Sequence, residues 1–152
     1  MFFIQRDDIS QLQSNLGYFY AAEIQYIERL SSVEYNDYAF LENGDFGSAD
    51  LSIIRVMGDN YLEASYRIMR VNSNFNLISK KMNYIGNQLI GISNKSKQIS
   101  VVTLEDIMLV NNYITYIKEA IENNSDGEYW YKALNEVKTN KLIESADNLY
   151  LK

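Results

Sequence analysis

Four carboxylates have the types and spacing for chemistry. Glu119-x-x-Glu122 is followed, after 21 intervening residues, by Glu144-x-x-Asp147. A three-residue step puts both members of each pair on one helix face, and hard magnesium takes oxygen ligands. Each pair therefore offers oxygen ligands on one face of a helix. A second candidate is the tripeptide Asp45-Phe46-Gly47, which matches the metal-binding tripeptide of protein kinases. A kinase would also need a glycine-rich phosphate loop and the histidine that opens its catalytic-loop motif, and the chain supplies neither. The tripeptide is therefore read as a turn before a helix.

The paired carboxylates resemble the acidic signature of the all-α nucleoside-triphosphate pyrophosphohydrolases. That resemblance implies Glu119, Glu122, Glu144 and Asp147 as magnesium ligands and release of pyrophosphate from nucleotides as the activity. It covers the last fifth of the chain. The same spacing recurs at Glu34-x-x-Asp37 and Glu42-x-x-Asp45, and solvated helix faces are the usual fate of such pairs.

Other chemistries are excluded by composition. The 152 residues include no cysteine and no histidine. Disulfides, zinc sites of the Cys/His kind, Ser-His-Asp and Cys-His catalysis, and Glu-x-x-His di-iron sites are all ruled out. No cofactor is expected. The opening MFFIQRDDIS has neither the basic region nor the apolar length of a secretory signal, and no stretch approaches the ~20 apolar residues of a membrane span. The expectation is a soluble protein, cytoplasmic or exported without a cleaved signal peptide.

Charge is unevenly spread. Residues 1–50 carry nine acids and two bases, residues 51–100 two acids and seven bases, and residues 101–152 nine acids and five bases. A basic middle between acidic ends is satisfied when the ends fold over it or meet it in another copy. The competing use of Arg55, Arg67, Arg70, Lys80, Lys81, Lys95 and Lys97 as a nucleic-acid patch is opposed by the net charge of −6. No nucleic-acid partner is expected.

The elements that must position these groups read as helices. There is no proline, the residue that helix interiors exclude most strongly. A first helix opens at Asp7 or Asp8, with Ile9, Leu12, Leu16, Phe19, Ile24, Ile27 and Leu30 as its apolar face. Residues 33–50 are an acidic, aromatic loop, after which Ser48 or Asp50 can cap a helix. Ile54, Met57, Tyr61, Ala64, Ile68, Val71, Phe75, Ile78, Met82, Ile85, Leu89 and Ile92 then fall at alternating steps of three and four. The unbroken phase favours one continuous helix over about residues 51–92 with a coiled-coil-like seam, against a break at residues 70–76 or 57–61. Gly58, Ser65, Asn72, Ser79, Gly86 and Ser93 form a second stripe of small or polar residues seven apart, suited to close approach by a neighbouring helix. After a connection in which residues 98–102 fit a short strand, a capping box at Thr103–Asp106 opens a helix carrying Ile107, Val110, Ile114, Ile117 and Ile121, which ends at Gly127. A last segment with Trp130, Leu134, Val137, Leu142, Ala146 and Leu149 loses phase near Thr139 and Asn140, as a kink or as two pieces.

A continuous helix over residues 51–92 would be ~63 Å long, too long for a globule of roughly 40 Å diameter. The expectation is an all-α, elongated helical bundle, one domain over residues 1–152, whose uncovered seam needs a protein partner or a second copy. The function expected is non-enzymatic protein–protein interaction or assembly through the seam residues. Tyr38, Phe40 and Phe46 form a second candidate surface in the loop. The alternative within the same class is a small acidic inhibitor of the immunity type.

Overall fold

The computed structural model describes residues 4–32, 41, 44, 46–94, 104–123, 126–135 and 140–152. Among them are six α-helices and no strand: α1 (Ile4–Ser31), α2 (Ser48–Val71), a 3₁₀ turn (Ser73–Phe75), α3 (Asn76–Ser93), α4 (Leu104–Glu122), α5 (Gly127–Leu134) and α6 (Lys141–Tyr150). The all-α helical bundle is as expected. Residues 98–102, Thr103, Val137 and the acids Glu34, Asp37, Glu42 and Asp45 lie outside the described residues.

The continuous central helix does not form. The chain ends α2 at Val71, doubles back through Asn72 and the 3₁₀ turn, and returns as α3 along the length of α2. Asn72 has extended backbone, φ −158° and ψ 132°. Its side-chain amide donates to the Leu134 carbonyl at 2.5 Å, and its Oδ1 accepts from the Asn74 amide at 2.8 Å. One buried side chain thus anchors the break to the end of α5 and caps the turn that follows. An asparagine is a poor helix residue because it competes with the backbone for these bonds. The arms α2 and α3 are ~36 Å and ~27 Å long at 1.5 Å per residue, so the argument from helix length to an elongated molecule falls with the rod.

The unbroken phase has a simple cause. The twelve seam positions are mirror-symmetric about residue 73: 71 and 75, 68 and 78, and so on out to 54 and 92. A turn at the mirror point therefore carries both halves of the seam onto one core, and every one of the twelve is at most 5% exposed. Four members of the small stripe, Gly58, Ser65, Ser79 and Gly86, are mirrored about Asn72 and become the contact between the arms. A Cβ on Gly86 would stand 2.9 Å from the Gly58 carbonyl oxygen, and one on Gly58 would stand 3.0 Å from that of Gly86. One heptad further in, Ser79 Oγ donates to the Ser65 carbonyl at 2.9 Å. Arg55 Nη1 reaches Asn94 Oδ1 at 3.4 Å where the arm ends meet.

The remaining helices close over this hairpin. From α4 come Ile107, Val110, Tyr113, Ile114, Ile117 and Ile121, all buried. From α1 come Ala21, Ile24 and Ile27. Helix α4 stops at Glu122 rather than at Gly127, because Gly127 opens α5, whose start is capped by Asp126 through its bond from the Glu128 amide. The last segment comes in two pieces. Asn140 caps α6 by accepting from Ile143 N at 3.1 Å, while its side-chain amide donates to Ala133 O at 2.7 Å. At the start of α2 the Asp50 carboxylate accepts the Gly47 amide at 2.9 Å. Basic side chains of the middle do meet acids of the ends: Arg67 bridges Glu23 at 3.1 Å and Lys81 bridges Asp106 at 2.5 Å.

Candidate interaction surface

Burial decides what the seam is for. Ile54, Met57, Tyr61, Ala64, Ile68, Val71, Phe75, Ile78, Met82, Ile85, Leu89 and Ile92 are covered by the chain's own helices and offer no surface to another molecule. Their apolar period records a core. Of the aromatic candidates in the loop, Tyr38 and Phe40 lie outside the described residues, and Phe46 is half-buried against the core just before α2.

The four carboxylates are engaged apart from one another. Asp147 is buried and accepts from the Tyr113 hydroxyl at 2.7 Å. Burial, and next the neighbouring carboxylate, push the Tyr113 phenol well above its ordinary range. That phenol stays a donor, so the pair is a satisfied polar contact between α4 and α6. Glu122, at the exposed end of α4, accepts from Gln25 Nε2 at 3.3 Å and stands 3.9 Å from Lys118 Nζ. Glu119 and Glu144 are exposed. Among the described residues no three acidic, histidine or cysteine side chains are grouped closely enough to share a metal ion. Nor is any described helix long and apolar enough to cross a membrane.

The basic side chains are distributed in the same way. Arg67 is held by Glu63 and Glu23 and lies over the Tyr26 ring at 4.4 Å. The hydrogen bond to Glu63 comes first, and with the one to Glu23 it raises the guanidinium pKa against a smaller opposing effect of desolvation. Lys118 is likewise raised, chiefly by its bond to Glu28 at 2.9 Å. Arg55 faces Asp59, and Arg70 lies 5.8 Å from the Tyr66 ring. Lys95 and Lys97 lie outside the described residues.

Among the exposed large apolar residues, which also include Ile53, Val56, Tyr66 and Leu149, four stand in step on one side of α1. The expected apolar face of that helix is split in two. Ile24 and Ile27 are buried and Leu30 is half-buried, but Ile9, Leu12, Leu16 and Phe19 are 54%, 61%, 42% and 47% exposed. The inward face is made instead of small residues. Gly17 and Ala21 are buried, and a side-chain carbon on Gly17 would overlap the Gly127 carbonyl. Helix α5 thus crosses α1 backbone to backbone, which only glycine permits. The crossing is fixed on either side by Tyr18 edge-on to Trp130 at 5.2 Å and by Tyr20 stacked on Tyr131 at 6.4 Å. Trp130 also donates its indole N–H to the Ile121 carbonyl. With α1 held in this rotation, the stripe of large residues points outward.

The spacing carried only part of this signal. Steps of three and four run from Ile9 to Phe19, but Ile24 lies five residues beyond Phe19. That extra residue turns the stripe by ~100° on a helix of 3.6 residues per turn. Ile24 therefore leaves the face of Ile9, Leu12, Leu16 and Phe19, whereas Ile27, eighteen residues and five full turns beyond Ile9, returns to it. Ile27 is buried and Ile9 exposed because of which neighbours cover each end of α1.

No family model, no curated protein and no solved structure matches the chain.

Proposed function

We propose that this protein works by protein–protein contact rather than catalysis, and that the outer face of α1 is the contact surface. The observation that carries this reading is the exposed stripe Ile9, Leu12, Leu16 and Phe19 on a 28-residue helix. Single exposed apolar residues are ordinary, but four large ones in heptad register form a contiguous patch of the kind that marks an interaction site. The patch is rigid, because its helix is pinned from behind through Gly17 and Gly127. A preformed helix face loses little conformational entropy on docking. Binding here replaces the role first assigned to the central seam.

The reading is tested by photo-cross-linking in cells that make the protein. A benzophenone side chain is placed at position 12 on the stripe, or at Glu105, an exposed position on α4. One discrete adduct from position 12, lost with Leu16→Glu and missing from position 105, is expected. Equal labelling from both positions, or none from position 12, defeats the reading.

A further inference from the structure

We infer that the occupant of the α1 face is a second copy of this chain, packed antiparallel so that Ile9 lies level with Phe19 of the other copy and Leu12 with its Leu16. This inference rests on the docking role of α1 proposed above and names its partner.

Three features of the face point to self-pairing in this direction. The first is area. At about 200 Å² for a large apolar residue, the four exposures of 42–61% leave roughly 400 Å² of stripe on each copy. Two copies would cover about 800 Å² from the stripe alone. The flanking Gln11, Asn15 and Ala22, all exposed, would take the total past the ~1,000 Å² of a specific interface.

The second feature is charge. The residues bordering the centre of the stripe are uncharged: Gln11, Gln13, Asn15 and Ala22. The chain carries a net −6, so most surfaces of one copy would repel the same surface of another. Along the middle of this face two copies can meet without opposing like charges; the exposed Asp8, four residues before Leu12, lies at its end. At the two-fold axis Asn15 would face Asn15 of the other copy, and an amide can both donate and accept.

The third feature sets the direction. The exposed stripe stops at Phe19, because Glu23, the next position in step, is turned to Arg67 of its own chain and its side chain is only 17% exposed. A parallel pair would bring the exposed Asp8 of one copy beside Asp8 of the other, at the same end of the stripe. Like charges so placed are unfavourable. The antiparallel pair sets Asp8 level with Tyr20 of the other copy and leaves the Glu23–Arg67 pair on its own chain intact. It also brings Arg6 of one copy alongside Tyr20 and Glu23 of the other.

The test uses the 152-residue chain, whose lack of cysteine makes single-cysteine cross-linking clean. Light scattering across concentrations is expected to show a reversible monomer–dimer equilibrium with a micromolar dissociation constant. High salt should favour the dimer, because it screens the repulsion between two acidic copies while the apolar contact remains. Leu12→Glu, at a position 61% exposed in the single chain, should weaken dimerisation about 100-fold or more and leave the helical circular dichroism unchanged. Under mild oxidation Asn15→Cys should form a disulfide-linked dimer. Ile9→Cys should not, whereas Ile9→Cys mixed with Phe19→Cys should form the heterodimer.

A disulfide dimer of Ile9→Cys alone would overturn the antiparallel arrangement. A wild type that stays monomeric at hundreds of micromolar would overturn self-pairing. If that monomer still gives a discrete adduct from position 12 with a different protein, docking through α1 survives and only the identity of the occupant falls. If position 12 gives no adduct either, both fall.

Discussion

The two glycines where α2 and α3 touch give opposite signs for a hairpin and for a rod. In a continuous solvent-facing helix, Gly86→Ala would add about 1 kcal/mol of helix propensity and raise stability. In the hairpin the new methyl carbon would stand 2.9 Å from the Gly58 carbonyl oxygen and 2.9 Å from two atoms of the Leu62 side chain, where ordinary contact is about 3.5 Å or more. Leu62 can shift, but the Gly58 carbonyl belongs to a helix backbone and cannot move without taking α2 with it. Overpacking of this kind costs about 1–3 kcal/mol, and separating the arms loses further contacts along the interface. After the gain in propensity, a net loss of about 1–2 kcal/mol is expected, which lowers the melting temperature by roughly 2–4 °C per kcal/mol for a chain of this size. Gly58→Ala should act alike, since its methyl carbon would meet Ile90 Cγ1 at 2.8 Å and the Gly86 carbonyl at 3.0 Å. The double variant should lose less than the sum of the two, because each change opens the same contact. Thermal denaturation followed by circular dichroism measures all three. A rise in melting temperature for either single variant would mean that the arms do not cross at these residues, and the hairpin would be wrong.

Two further outcomes follow from buried polar groups. The Tyr113 phenol keeps its proton in the folded chain at a pH where an unfolded tyrosine has lost it. Its contribution to stability is therefore full below about pH 10 and is lost as the pH rises above that. Absorbance at 295 nm should show a class of tyrosine that ionises only as helicity is lost, with Tyr20 also raised but less protected. Tyr113→Phe should flatten this alkaline loss while costing about 1–3 kcal/mol at neutral pH, because the buried Asp147 carboxylate loses its donor. Thirteen tyrosines titrating together near pH 10 with helicity intact would refute the burial. Gln88 in α3 is 7% exposed, and its Oε1 has no hydrogen-bond partner among the described residues. Gln88→Met keeps the shape and removes the unsatisfied group, so chemical denaturation should show a gain of about 1 kcal/mol. A loss would mean that the amide is satisfied.

The central region was legible as to what is buried and illegible as to how the chain runs. All twelve apolar positions between Ile54 and Ile92 are core, as their period predicts. The break at Asn72 left no mark on that period because the pattern reads the same in both directions from residue 73. A rod that buries one face and a hairpin that buries the same face of both arms share one pattern. The local signal that separates them is the run Asn72-Ser73-Asn74, each residue a poor helix former. Its weight depends on a partner for the Asn72 amide, the Leu134 carbonyl 62 residues away. That contact is tertiary, and no local reading contains it. The small stripe was correctly read as a place for close helix approach. The approaching helix is the other half of the same segment.

For α1 the physical reasoning runs the other way, and it is what makes the proposed surface visible. A helix is ordinarily oriented by its largest apolar residues, which would turn Leu12, Leu16 and Phe19 inward. Here the crossing of α5 at Gly17 and Gly127 brings two backbones together, and no large side chain fits between them. The close contact along the glycine face, with the aromatic pairs beside it, holds the rotation of the helix. Burial continues along the same face through Ala21 to Ile24 and Ile27. The large residues are left outside by geometry rather than by composition. Where glycine sits at a helix crossing, the small residues therefore mark the inside, and an apolar stripe on the opposite face is surplus to the fold. Surplus apolar surface in heptad register, with uncharged flanks on an otherwise acidic protein, is what a second helix of the same kind would cover.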